Sequence, residues 1–207
     1  RNLPSGTGGP LQWHLVGEPA FTYRVYQQVY DNDGNPIPGQ YVDQNADGKI
    51  DDNDLIKFHS PEPKVTFNWT NNFSYKNWDL SFALRANFGN YVYNGPRYER
   101  TNLAKVDAYG LNNLLRNEFI FPSNPEQLVL SDYWVENASF LRCDNITLGY
   151  TWPNLIDDQL RLRLYGAVQN PFVITKYKGL DPEVFDGIDN NVYPRPVSFT
   201  IGLIATF

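Results

Sequence analysis

The residues best equipped for binding chemistry lie in one short polar stretch, Asp43-Gln-Asn-Ala-Asp-Gly-Lys-Ile-Asp-Asp-Asn-Asp54. Counted as a twelve-residue calcium loop, it puts oxygen donors at positions 1, 3, 5 and 9 (Asp43, Asn45, Asp47 and Asp51) and Gly48 at position 6, where the backbone must turn sharply. Lys49 at position 7 offers its backbone carbonyl, so its side-chain charge is irrelevant, and Ile50 anchors the loop. Position 12 is Asp54 rather than Glu, which shortens the last ligand. Every donor is a hard oxygen, so Ca2+ is the expected ion, with Mg2+ the alternative. Its job would be to rigidify the loop by neutralising crowded carboxylates. The alternative is an Asx-rich turn that needs no ion, but a chance match at so many positions is uncommon.

The remaining chemistry-bearing residues are scattered. His14 and His59 are isolated in loop-like surroundings, and no Ser/His/Asp grouping, phosphate-cradling glycine loop or metalloprotease helix appears. Carboxylates pair only in the Asp-rich loops, where solvation or ion binding suits them better than acid–base catalysis. No enzyme is expected. Cys143 is the only cysteine, so neither an intrachain disulfide nor a thiolate cluster can form. A net charge of −6 without any basic cluster argues against a nucleic-acid partner.

The elements that must carry these residues are read from alternation. Over Pro196–Phe207, Val197, Phe199, Ile201, Leu203, Ala205 and Phe207 share one parity, while Ser198, Thr200, Gly202 and Thr206 share the other. This period of two predicts a strand that is apolar on one face. The same pattern predicts strands over 19–30, 64–76, 77–89, 139–152 and 159–173. Lys76-Asn77 makes a tight turn within a hairpin of roughly ten-residue strands, the length a tilted membrane strand needs. A short helix is expected over Leu111–Phe119 and a turn over Pro153–Asp158. Connections alternate between short and long, as in outer-membrane barrels with short periplasmic turns and long extracellular loops. Tyr75, Trp78, Tyr150, Trp152 and Phe207 cluster at the short-turn end, where an interfacial girdle belongs. Arg24, Arg85, Arg142, Arg161 and Arg163 fall on the lumen parity, where they would hydrate the wall or pair with carboxylates. Tyr91, Tyr93, Tyr98 and Tyr109 would either stack on sugars or pack the loops together.

Among 207 residues, no run approaches the eighteen or so apolar residues of a membrane helix. The mean hydropathy of −0.48 is blind to membrane strands, in which apolar and polar residues average out. The chain opens on loop-like Arg1-Asn-Leu-Pro-Ser-Gly-Thr-Gly-Gly-Pro10 with no signal peptide, so it reads as a C-terminal piece of an exported protein. Six strands cannot close a wide barrel, so further strands are expected from upstream sequence. The competing architecture is a secreted, calcium-stabilised β-sandwich that binds carbohydrate, with the alternation facing a core.

Longer motifs decide between the two. Ser139-Phe-Leu-Arg-Cys-Asp-Asn-Ile-Thr-Leu-Gly-Tyr-Thr-Trp-Pro153 resembles the SFLRLKNVTLGYTLP stretch of SusC/RagA-type TonB-linked outer-membrane proteins of the Bacteroidetes. Leu162–Phe172, then Thr175-Lys-Tyr-Lys-Gly-Leu-Asp-Pro-Glu183, Tyr193–Pro196 and the closing Phe-Thr-Ile-Gly-Leu strand, are similar to that family's following segments, and 41–54 to its DxNxDG loop. The resemblance implies an all-β fold: the last six strands of an antiparallel, 22-stranded transmembrane β-barrel whose plug domain is not in this chain. It also implies uptake of oligosaccharides or peptides, a SusD-like surface lipoprotein, energy through TonB, and the outer membrane of a Gram-negative bacterium. Cys143 and Pro171 depart from the family pattern.

Overall fold

The computed structural model describes residues 2–3, 11–103, 114–115, 118–122, 128, 130–153, 160–190 and 192–207. Tyr109 and most of the helix expected over Leu111–Phe119 lie outside these residues, as does all of the Pro153–Asp158 turn except Pro153. In chain order the strands are Asn2–Leu3 (β1), Gln12–Trp13 (β2), Thr22–Tyr26 (β3), Gln28–Tyr30 (β4), Pro36–Tyr41 (β5) and Leu55–Phe58 (β6). There follow Val65–Tyr75 (β7), Trp78–Phe88 (β8), Tyr91–Asn94 (β9), Val135–Asn137 (β10), Phe140–Trp152 (β11), Arg161–Thr175 (β12), Ile188–Asp189 (β13) and Ser198–Thr206 (β14). A helix, Gly95–Thr101 (α1), follows β9.

The chain divides into two units. The first comprises Arg1–Pro63, Gly89–Ala138 and Tyr177–Tyr193, and the second Lys64–Phe88, Ser139–Lys176 and Pro194–Phe207. The second unit is a wall of five antiparallel strands in the order β14-β12-β11-β8-β7. Its register matches Tyr75 with Trp78, Trp78 with Tyr150, and Leu164 with Leu203, so the short turns and the last residue share one end. The chain leading into Val65 and the long connections 89–139 and 176–197 meet the wall at the other end.

Cross-strand partners point to the same side of a sheet, so the register also sorts the side chains. One face carries rows such as Phe73–Leu80–Leu148 and Phe82–Ile146–Val168–Phe199. The other carries Asn68–Arg85–Arg142 and Ser74–Asp79–Gly149–Tyr165. Unbroken parity with Ile146 would place Arg142 on the apolar face, against the lumen side expected for it. A β-bulge between Cys143 and Asn145 inserts Asp144 and reverses the alternation. Arg142 thereby lies opposite Arg85 on the polar face, and Asp144 takes Arg85 in a two-pronged ion pair (2.6 and 3.0 Å). Opposite the bulge, β12 holds Asn170 at a φ of 50° beside Pro171, so the proline sits where the ladder is already interrupted.

The first unit is built from the long connections. Tyr23, Val25, Tyr93, Phe121, Trp134 and Ile188 belong to its buried core. Within it lie sheets β1-β2-β3-β6 and β10-β9-β13 and the hairpin β4-β5. The strand expected over 19–30 as part of the wall is corrected here. Phe21 stands at a φ of 58°, the strand is split at Gln27 into β3 and β4, and β3 pairs with β2 and β6. Four of the five β3 residues are buried. Period-two alternation marks an apolar face but not its cover, and here that cover is loop core rather than lipid.

Candidate functional site

The Asp43–Asp54 loop closes on itself through its own backbone. Asp43 Oδ2 accepts the Gly48 amide (2.8 Å), Asn45 Oδ1 the Asp47 amide (3.0 Å), and Asp47 Oδ1 the Lys49 amide (2.9 Å). Ala46 (φ 59°) and Gly48 (φ 81°) take left-handed conformations that wind the chain tightly; Gly48 does so without a Cβ penalty. Asp51 caps the following 3-10 turn by accepting the Asn53 amide. Asp54 is fully buried, and its two oxygens accept the amides of Gln44 and Asp51, both at 2.8 Å. Among the described residues, no group of three or more His, Cys, Asp or Glu side chains converges on one point. Asp43 nevertheless lies beside Asp54, and its buried Oδ1 has no hydrogen-bond donor.

The Asp51 amide, followed by that of Gln44, holds the Asp54 carboxyl below the ordinary aspartate range. A depressed carboxylate stabilises the fold above its unfolded pKa, and that contribution is lost as pH falls through the folded value. Protection of the Gln44 and Asp51 amides from hydrogen exchange, corrected for intrinsic rates, should therefore fall below the usual aspartate range. Asp54→Asn should remove this pH dependence.

A second polar cluster ties the loops of the first unit together. Arg97, 6% exposed, donates to Glu118 (2.7 Å), Glu136 (3.1 Å) and the Tyr133 carbonyl (3.0 Å), with its guanidinium over the Tyr133 ring. Lys178 reaches Glu118 at 2.6 Å and donates its backbone amide to Glu136. The neighbouring Tyr177 hydroxyl donates to Asp189 at 2.8 Å. Burial, then the adjacent Asp189 carboxylate, push the Tyr177 phenol well above its ordinary range. The Thr175–Glu183 motif thus works as a clasp.

Of the tyrosines weighed for sugar stacking, the three that are described are occupied. Tyr93 and Tyr98 are buried, and Tyr91 stacks on His59 with ring centroids 3.6 Å apart. His14 packs against Phe21. Arg24 is not on the wall; it lies over Trp13 and donates to the Asp52 carbonyl. Arg163 pairs with Asp79 (2.9 and 2.5 Å) across the intervening strand. This is possible because a Cβ on Gly149 would stand 2.6 Å from both partners. Arg161 is exposed at the end of β12. Neither the Gly149 bridge nor the Arg97 cluster has a local sequence signal, since each joins residues far apart in the chain.

Phe67 (52% exposed), Leu148 (48%) and Phe199 (78%) show that the apolar face of the wall is uncovered. A continuous apolar face of this extent, with polar residues behind it and an aromatic row at one end, defines a segment of antiparallel transmembrane β-barrel. No family model matches the chain. It is 45% identical to the TonB-dependent receptor SusC of Bacteroides thetaiotaomicron, in an alignment covering 99% of this chain and 21% of that receptor. It is 28% identical to a TonB-dependent receptor of Formosa agariphila, covering 84% of this chain and 19% of the relative. Among solved structures, the RagAB peptide importer in its open-open state matches with a TM-score of 0.69 at 22% identity, over 100% of this chain and 25% of that one. The structure of the RagAB peptide transporter matches with a TM-score of 0.67 at 24% identity, over 88% and 22%. These two likenesses are of fold.

The chain belongs to the SusC/RagA family of TonB-linked outer-membrane proteins, a family of receptors and transporters rather than enzymes. It spans about a fifth of the length of the curated relatives it matches.

Proposed function

We propose that this chain supplies five wall strands and the packed surface loops of a TonB-dependent importer in the outer membrane of a Gram-negative, Bacteroidetes-type bacterium. The importer takes up oligosaccharides or peptides with a SusD-like surface lipoprotein over the loops, and TonB drives it through parts of the protein beyond these residues. The short-turn end of the wall faces the periplasm, and the end from which its long connections leave faces outward. The reading rests on the uncovered apolar face, which a water-soluble sandwich would have to bury. The full-length polypeptide should fractionate with detergent-soluble outer membrane and change its gel mobility on boiling. Free solubility without detergent would favour the secreted sandwich.

Calcium in the Asp43–Asp54 loop is part of the proposal. Two carboxylates side by side, one with a buried oxygen lacking a donor, need a proton or a cation between them. Asp43, Asn45, Asp47, Asp51 and Asp54, with the Lys49 carbonyl, are the oxygens that would hold the ion, which supplies charge neutralisation and loop rigidity. About one calcium per chain is expected from metal analysis. Asp43→Ala combined with Asp47→Ala should remove it, and unchanged calcium content would dismiss the site.

A further inference from the structure

The apolar face of the wall has a gap. Trp78, Leu148, Tyr150, Trp152 and Leu164 border an open cavity of about 590 Å3 whose floor includes Gly166. Gly166 belongs to the row Phe73–Leu80–Leu148–Gly166–Ile201, in which each other member carries a large apolar side chain. A Cβ built on Gly166 meets nothing within 4 Å, so the space is open above the backbone. At the short-turn end, Trp78 packs edge-on against Tyr150 (4.8 Å between centroids), and Asn77 Nδ2 donates to the Tyr150 hydroxyl at 3.3 Å. The preceding residue, Lys76, is exposed, with its ammonium 5.5 Å from the Tyr75 ring centroid.

We propose that this notch holds one acyl chain of an anionic phospholipid whose phosphate pairs with Lys76. The inference rests on the membrane-embedded reading of the wall. The side chains lining the notch carry no formal charge, as a hydrocarbon occupant requires. Leu148 and Ile201 stand on the strands either side of Gly166, so their backbones are about 10 Å apart. Their side chains narrow that gap below the 10–12 Å diameter of a helix, while leaving room for a hydrocarbon chain. The indole and phenol groups mark headgroup depth. A lysine just beyond them supplies the charge complementary to an anionic headgroup.

The test uses the full-length protein in nanodiscs of phosphatidylethanolamine containing phosphatidylglycerol with a photoactivatable acyl chain. Wild type should be labelled on peptides around Leu148 and Gly166. Gly166→Phe, which fills the notch, should lose that labelling several-fold while keeping its heat-modifiable gel shift. Lys76→Gln should lower the preference for phosphatidylglycerol about fivefold. Since Lys76 is an exposed turn residue, that variant carries the test even if Gly166→Phe fails to assemble. Unchanged labelling in Gly166→Phe, or unchanged headgroup preference in Lys76→Gln, overturns the proposal. So does conversion of a wild-type dimer to monomer by Gly166→Phe with labelling intact, because a second copy would then be the occupant. A wild type that shows no heat shift and needs no detergent sinks the membrane reading instead.

Discussion

Phe199→Arg is expected to cost roughly 2–4 kcal/mol and to lower sharply the fraction that assembles into a membrane. Phe199 lies in register with Val168, which pairs with Ile146 and through it with Phe82, in the middle rows of the wall. Hydrocarbon at that depth cannot solvate a guanidinium. Phe199 is 78% exposed in the isolated wall. If water covered it, arginine would change stability by no more than about 0.5 kcal/mol, as at ordinary surface positions. The two environments therefore predict clearly different results. The control is Thr200→Arg, one residue on and facing the polar side with Ala167, which should be tolerated. Urea titration in lipid vesicles, read by the heat-modifiable gel shift, measures both. Equal behaviour of the two variants would remove the lipid-facing assignment.

Arg97→Ala should destabilise the loop unit by about 3–5 kcal/mol, the cost of breaking a buried ion pair by removing one partner. The arginine is shared by Glu118, Glu136 and the Tyr133 carbonyl, and it also lies over the Tyr133 and Trp134 rings. Lys178 would still neutralise Glu118, but among the described residues Glu136 would keep the Asn94 amide group and the Lys178 backbone amide, both neutral donors. Arg97→Lys should recover only part of the loss, because an ammonium cannot fork to two carboxylates while stacking on a ring. The pH dependence separates the ion pair from simple packing. Burial works to raise the Glu118 carboxyl, but hydrogen bonds from Lys178 and Arg97 outweigh it and leave the group below the glutamate range. In the wild type this contribution is present above the unfolded glutamate pKa and disappears as pH falls through the lower folded value. In Arg97→Ala the deficit should shrink in acid, where the wild type loses the Glu118 contribution as well. Hydrogen exchange of peptides spanning 128–138, followed from neutral to acid pH, reads both effects. A deficit independent of pH would mean that packing, not charge, dominates.

Much of the wall was legible in the amino-acid sequence, because a strand with one face in lipid writes its environment into every second residue. Phe67, Trp69 and Phe73 against Asn68, Thr70 and Asn72 need no distant partner to be read, and neither does the run closing on Phe207. The tight Asx loop at Asp43–Asp54 was equally visible, since its contacts span ten residues or fewer. What covers an apolar strand was not visible. Residues 22–26 alternate as the wall does, yet they are buried by Leu11, Phe121 and Trp134, which come from other parts of the chain. The side reached by Arg142 was settled by a single inserted residue, Asp144, which reverses parity without altering composition. Arg97 meets Glu118 and Glu136 across sequence separations of 21 and 39, after the intervening chain has folded back. The physical reason is common to these cases: alternation records the solvent beside each face, whereas cover, parity reversal and buried charge pairing depend on which distant segments arrive there.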